Sequence, residues 1–395
     1  MTTKAPMFEN RYLAHALGGL DGHKYLNTEE ALKNAIALGH RYFEADLQLT
    51  SDGQVVCSHG WTEDICAVSG MDYSEEFETM THDLFLAQKV FGMPTMDLDT
   101  LAVYIKKYKD LYWELDIHGV MGDEARLMIQ VIKDTVLNEP GVEDRVLMQV
   151  ASPEQYEAVD SVYHFKYYQY FIRRGTEPEV LSDIITFCKE NGIIAVALQF
   201  RDCTKEKVAM MKEAGLAVLA YSNDGRATAD DLFENGVDTL CTNFLSPAED
   251  IIDSRGTEVL YNGGKSNASK LEDLVAKKVL RGEIGYTKNS SVKYTERFKL
   301  TGLDHFDLMA CLYEREGYEF AGWNLRYKGL VNEWLWLCDD GEWRTPEAIN
   351  ECETERRLFA DMESVDIDLL LKKDFVIFQA VWNKIVPKDE QNNTK

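Results

Sequence analysis

The chain has 395 residues, more than one hydrophobic core usually organises, so two domains are expected. Its 42 Lys and Arg stand against 68 Asp and Glu, a formal charge of -26, which argues against nucleic acid and anionic membrane surfaces as partners. A phosphate-bearing ligand would therefore depend on a metal ion or a few local cations.

Neither a basic-then-apolar leader nor eighteen uninterrupted apolar residues occurs, so a cytoplasmic protein without membrane insertion is expected. The eight cysteines are scattered with no C-x-x-C pair and read as reduced thiols.

From residue 28 to 253 one phrase repeats: a helix-period stretch closing on Gly, a short apolar run rich in β formers, then polar residues and another helix. The joints fall at Gly39, Gly192, Gly215 and Gly236, with Asn27 or Thr28, Ser152–Pro153, Thr204 and Thr228 as helix starts. Candidate strands are Tyr12–His15, Tyr42–Leu49, Leu111–His118, Arg145–Val150, Lys166–Ile172, Ile193–Gln199, Leu216–Ser222 and Val237–Thr242. Eight parallel strands alternating with helices predict an α/β fold, a (β/α)8 TIM barrel over residues 1–254.

One further apolar run, Gln54–His59, follows the second strand too closely for a crossover helix and must fold back as a hairpin. A two-residue Asp52-Gly53 turn would place Asp46 opposite His59.

Beyond Ser254 the alternation stops, and Arg255–Ala268 is turn-rich, as a link would be. Residues 255–395 hold five of the seven tryptophans, some in short alternating runs, with Asp339-Asp340-Gly341 as a hairpin turn and a helix at about Thr345–Met362. A smaller β-rich (α+β) accessory domain is predicted, its aromatics either filling a core or binding sugar.

In such barrels the chemistry sits where strands end. His15 ends the first strand, Glu44 and Asp46 share a face of the second, and His59 arrives through the hairpin. The third strand alternates, so Glu114, Asp116 and His118 lie on one face and Trp113, Leu115 and Ile117 on the other. Desolvated carboxylates at this density repel one another, and one divalent cation is the simplest compensation. All-oxygen ligation suits Mg2+ or Ca2+, with Glu44, Asp46 and either Asp116 or Glu114 as ligands. His15 and His59 are then free to act as acid and base in the cleavage of a phosphodiester. His118, Gln149, Tyr221 and Asn223, near strand ends on the same rim, are candidates for contacting the substrate.

The segments AHALGG and LNTEEALKNAIALGHRYFEADLQLTSDGQVVCSHG resemble the opening pattern of the glycerophosphodiester phosphodiesterase family, a branch of the phosphatidylinositol-phospholipase-C-like barrels. The likeness spans about residues 12–250. It implies a phosphoric diester hydrolase in which His15 and His59 are the acid–base pair and Glu44 and Asp46 hold metal, with a third acidic ligand from the 114–118 strand. The substrate implied is a small or polymeric phosphodiester, most simply a glycerophosphodiester. Two departures stand out: Ala16 replaces the family's Arg after the first His, and the position of the family's third-strand Lys falls on Asp116 or His118. The other reading of these departures is a catalytically silent barrel that binds a carbohydrate or phosphorylated glycan through the C-terminal aromatics.

Overall fold

A computed structural model describes residues 5–247 and, beyond them, 256–260, 285–289, 293–299, 305–308, 317–330, 333–352, 354–360 and 362–385. The chain divides into two compact units, Met1–Asp224 with Ala229–Ile252, and Gly225–Thr228 with Asp253–Lys395.

The first unit is a closed parallel barrel. Its strands are β1 (Tyr12–Ala14), β2 (Tyr42–Leu49), β3 (Tyr112–Asp116), β4 (Val146–Val150), β5 (Tyr168–Ile172), β6 (Ala195–Gln199), β7 (Ala217–Tyr221) and β8 (Thr239–Thr242). Each pairs with the next, and β8 closes on β1 through the register Leu13 to Cys241. The fold class expected from the alternation is the one observed.

Several strands start one or two residues later than the apolar runs suggest, because the first apolar residue is used to close the preceding helix. After helix Lys205–Glu213, Gly215 turns left-handed at φ +85° and its N–H donates to the Lys212 carbonyl, while the Leu216 N–H donates to the Met211 carbonyl. The same pair of bonds recurs at Gly39 with His40 and at Gly236 with Val237. Thr28, Ser152 and Thr204 cap their helices as expected, but Thr228 lies inside helix Arg226–Glu234, which starts before it.

The interior stacks Leu13, Tyr42, Leu147, Ala195, Ala197 and Leu219 in one cluster with Met7 and Phe8 of the N-terminal turn Pro6–Glu9. Outward-facing Phe43 and Trp113 stack at 5.2 Å between their ring centroids. These apolar layers leave the carboxylates of β2 and β3 near the other end of the barrel.

The hairpin after β2 forms, but in a different register. Leu47 pairs with Cys57 and Leu49 with Val55, and the Ser58 N–H donates to the Asp46 carbonyl at 2.9 Å, so Asp46 faces Ser58 rather than His59. The loop holds three residues, Ser51–Gly53, with Gly53 at φ +79° and the Thr50 N–H donating to the Gln54 carbonyl. The Thr50 hydroxyl bonds Asp52 and receives the Gln54 N–H, which favours this longer loop over the two-residue turn.

Residues 58–97 then build a small insertion that the sequence reading missed. Its helices Glu63–Ser69 and His82–Leu86, with short strands Lys89–Val90, Met93–Pro94 and Met96–Asp97, gather Leu26, Val56, Cys66, Met71, Phe77 and Phe85 into a second core.

In the second unit a sheet runs in the order Gly285–Asn289, Lys293–Lys299, Gly256–Leu260, Phe375–Lys384, Tyr318–Lys328, Trp334–Leu337, Trp343–Arg344. Within the expected link, 256–260 is therefore a strand, paired with Phe375–Lys384, and the rest lies outside the described residues. Gly341, at φ +85°, makes the anticipated hairpin turn. The helix stops at Pro346–Glu351, far short of Met362, because Leu358 and Phe359 are claimed by pairing with Asn324 and Trp323. Trp323 is fully buried, and Trp343 and Trp382 pack against the same core, so these rings serve as core. No helix among the described residues is long and apolar enough to cross a membrane.

Candidate functional site

At the carboxyl ends of the barrel strands lies a cavity of about 680 Å³ whose walls include His15, Glu44, Asp46, His59, Asp116 and His118. Ligands of parallel barrels are received at this end, where loops rather than strands decide the surface.

β1 stops at Ala14 because the backbone turns there. Ala16 and Leu17 adopt left-handed φ values of 47° and 64°, costly for residues with a Cβ, on the order of 1 kcal/mol each. Specific bonds hold them: the Ala16 N–H donates to Glu44 Oε2 at 2.6 Å, and its carbonyl receives the Asn27 N–H at 2.9 Å. The strained turn swings the His15 ring over the cavity. There His15 Nδ1 sits 2.9 Å from Asn243 Oδ1. Asn243 Nδ2 donates to Asp224 Oδ2 at 3.0 Å, and Asp224 also receives the Asn243 and Phe244 N–H groups. With its amide nitrogen committed to a carboxylate, Asn243 can offer His15 only an oxygen, so Nδ1 donates to it and in the neutral ring the lone pair lies on Nε2.

Glu44 and Asp46 come from β2 and are 5 % and 1 % exposed. Asn27 grips Asp46 twice, Nδ2 donating to Oδ2 at 2.8 Å and Oδ1 accepting the Asp46 N–H at 3.2 Å. On β3 the choice left open by the sequence separates. Carboxylate oxygens of Glu44, Asp46 and Asp116 all lie within 4.8 Å of one another. Glu114 instead accepts from the Tyr42 hydroxyl at 3.2 Å and from Gln169 Nε2 at 2.9 Å.

The electrostatics follow from crowding. Burial, and then Asp46 and Asp116, hold the Glu44 carboxyl well above its ordinary range. Burial with Asp46 pushes Asp116 up to about 7, and burial with Asp116 pushes Glu114 up to about 8. A divalent cation among Glu44, Asp46 and Asp116 would remove this conflict, and three carboxylates are the donor set of a hard ion. A second grouping, His15, Glu44 and Cys241, would suit a softer metal. Burial and then Glu44 keep the Cys241 thiol protonated, so it offers no thiolate.

His59 reaches the cavity one residue beyond the hairpin pairing, its Nδ1 buried without a hydrogen-bond partner among the described residues. Its ring centroid lies 4.7 Å from that of His118, and Tyr25 stands edge-on to both His15 and His59, at 4.8 and 5.8 Å. Burial first, then His59, lowers the His118 pKa, with the Arg173 charge adding to the effect.

Gln149 and Tyr221 also line the cavity; Gln149 bonds Gln169, and the Tyr221 hydroxyl donates to the Ile172 carbonyl. Ser222 is part of the lining where Asn223 is not, and the Asn223 N–H donates to the Cys241 carbonyl. Sequence reasoning missed Tyr25, Asn27, Asn243 and Asp224. The Asn-Thr helix start and the CTNF segment were the only signals, and neither says which side chain will be met.

The model of the glycerophosphoryl diester phosphodiesterase family matches residues 19–246. Among solved structures, a Galdieria sulphuraria protein assigned as a glycerophosphodiester phosphodiesterase is 20% identical over 59% of this chain and 94% of its own, with a TM-score of 0.50. An Oleispira antarctica phosphodiesterase, solved with the product sn-glycerol-3-phosphate, is 17% identical over 60% of this chain and 95% of its own, with a TM-score of 0.49. No curated protein matches the chain by sequence. The family match covers more than half of the residues, and the chain belongs to the glycerophosphoryl diester phosphodiesterase family of phosphoric diester hydrolases.

Proposed function

We propose that the protein hydrolyses a glycerophosphodiester or a related alcohol phosphodiester, with His15 as general base, His59 as general acid and a hard divalent cation, Mg2+ or Ca2+, held by Glu44, Asp46 and Asp116. The observation that carries this reading is the convergence of two histidines and three crowded carboxylates in one cavity at the strand ends. A bound cation of this kind supplies Lewis-acid polarisation of the phosphoryl oxygen.

The chain's own residues supply the rest. His15 Nε2, which the Asn243 bond leaves with the lone pair in the neutral ring, accepts the proton of the attacking water. His59 gives a proton to the leaving alkoxide as its bond to phosphorus breaks, yielding a phosphomonoester and an alcohol. Asn27 fixes the Asp46 carboxylate, and the Ala16 N–H fixes Glu44. With Ala16 in place of an arginine, His118, Gln149 and Tyr221 are the contacts proposed for the phosphate and its substituents, and Arg173 adds positive charge near His118.

The division of labour is tested with two leaving groups. His59→Ala should lower kcat on an alkyl phosphodiester by about 10²–10⁴-fold. An aryl diester, whose phenolate departs without a proton, should suffer far less from that substitution. His15→Ala should cost both substrates alike, and equal losses for both variants on both substrates would contradict the assignment.

A further inference from the structure

A second cavity, about 580 Å³ and partly open to solvent, adjoins the first. Tyr25 and His59 wall both. Beyond them the lining is mostly aliphatic, with Leu26, Ile65, Val68, Met71 and Val90, and its polar members are already engaged elsewhere: Asn27 with Asp46, the Cys57 thiol with the Asp97 carbonyl, and the Ser58 and Ser69 hydroxyls with the Gly60 and Ile65 carbonyls. Among the described residues it contains no Asp, Glu, Lys or Arg, in a chain where more than a quarter of residues are charged. Met71 and Val90 are buried, whereas Val68 is 46 % exposed and still part of the lining, which places it at the opening. Apolar walls with a few polar groups are the usual make-up of a small-molecule site.

Position gives the cavity its meaning. It lies on the His59 side of the site, where the reading above puts the departing alcohol. A polyol or amino alcohol seated there would meet polar groups already bonded to the protein, and each of its own groups left without a partner would cost tenfold or more in binding. An aliphatic chain loses nothing and gains burial. Apart from Tyr25 and His59 the described walls hold no ring against which an aromatic alcohol would stack.

We propose that this cavity is the leaving-group subsite and that the substrate is a phosphodiester whose departing alcohol is an alkyl chain, seated against Ile65, Val68 and Met71. The inference rests on the catalytic reading above and narrows its substrate class. In the step itself, the bond between phosphorus and the alkyl oxygen breaks and water supplies the new P–O bond. The alkyl oxygen takes the proton of His59, and a water proton goes to His15. The products are a phosphomonoester and an aliphatic alcohol.

The test uses the full-length protein with Mg2+ or Ca2+ and the methyl, butyl and octyl esters of glycerol 3-phosphate. KM should fall about three- to fourfold per methylene until the cavity is filled. Val68→Glu, at an exposed position that folding tolerates, should collapse the octyl-over-methyl preference. Val103→Glu, on the exposed side of helix Leu98–Lys107, should leave the preference intact. A KM independent of chain length, or a preference untouched by Val68→Glu, overturns the proposal. If no ester is turned over, the catalytic reading fails, and the subsite is still decided by calorimetry on the same series. Octyl binding tighter than methyl, with loss of that preference in Val68→Glu, supports it, and equal affinities overturn it.

Discussion

Glu114 and Asp116 stand two residues apart on one strand, face the same way, and meet different neighbours. Asp116 ends in a group of carboxylates, while Glu114 is met by a tyrosine hydroxyl and a glutamine amide. Metal affinity should divide accordingly. Asp116→Asn is expected to weaken Mg2+ or Ca2+ binding at least tenfold by calorimetry, and Glu114→Gln to change it no more than about threefold. The reverse order would exchange their roles. Alternation alone could tell that both point inward. It could not tell which is paired, because Tyr42 and Gln169 reach Glu114 from other strands. The same holds for His15: its position at the end of β1 was legible, whereas its orienting partner Asn243 lies 228 residues away and is joined to it only by closure of the barrel.

Among elements, the helix-to-strand joints were the most legible, because a left-handed glycine and the apolar residue after it are local chemistry. His40 sits at one of these joints, its N–H closing helix Glu29–Ala37 while its ring is buried. Burial lowers its pKa to about 4 from an ordinary 6.5. Below pH 6.5 the unfolded chain takes up a proton that the folded one refuses, so this contribution is present at neutral pH and is lost as pH falls from about 6.5 to about 4. The loss amounts to ~3 kcal/mol for one such histidine. Denaturant midpoints measured at pH 7 and pH 4.5 should therefore move less in His40→Gln than in the native protein, and identical shifts would show that His40 carries no such linkage. Less legible was the hairpin. Asp52-Gly53 has the composition of a two-residue turn, but the Thr50 side chain secures a three-residue loop, and one added residue changes every partner across the ribbon. The insertion at 58–97 was invisible because its short elements have no period of their own and are fixed by a shared core.

For the whole molecule, a net charge of -26 around a phosphodiesterase site makes local positive charge the decisive requirement. Glu44, Asp46 and Asp116 meet it in the proposed account by holding a cation where fixed arginine is missing. The site draws all its named residues from the first unit, so we propose that this barrel is self-sufficient. A chain ending at Ile252 should fold cooperatively and keep kcat within about threefold of the full protein on a small diester, and an insoluble or inactive product would assign the second unit a part in the barrel's integrity. Eight strands and their order could be read from the sequence. The second unit could be read only as β-rich, since its sheet joins strands far apart in the chain and its tryptophans are core residues whose partners no local pattern names.

The central claim is metal-dependent cleavage by two histidines over three carboxylates. Its most direct test is the hydrolysis rate of a glycerophosphodiester by the full-length protein with Mg2+ or Ca2+ and with chelator, alongside His15→Ala and His59→Ala. The account predicts turnover that chelation abolishes, that added metal restores, and that falls at least a hundredfold in each variant. Undiminished turnover in chelator, or in either variant, would contradict it.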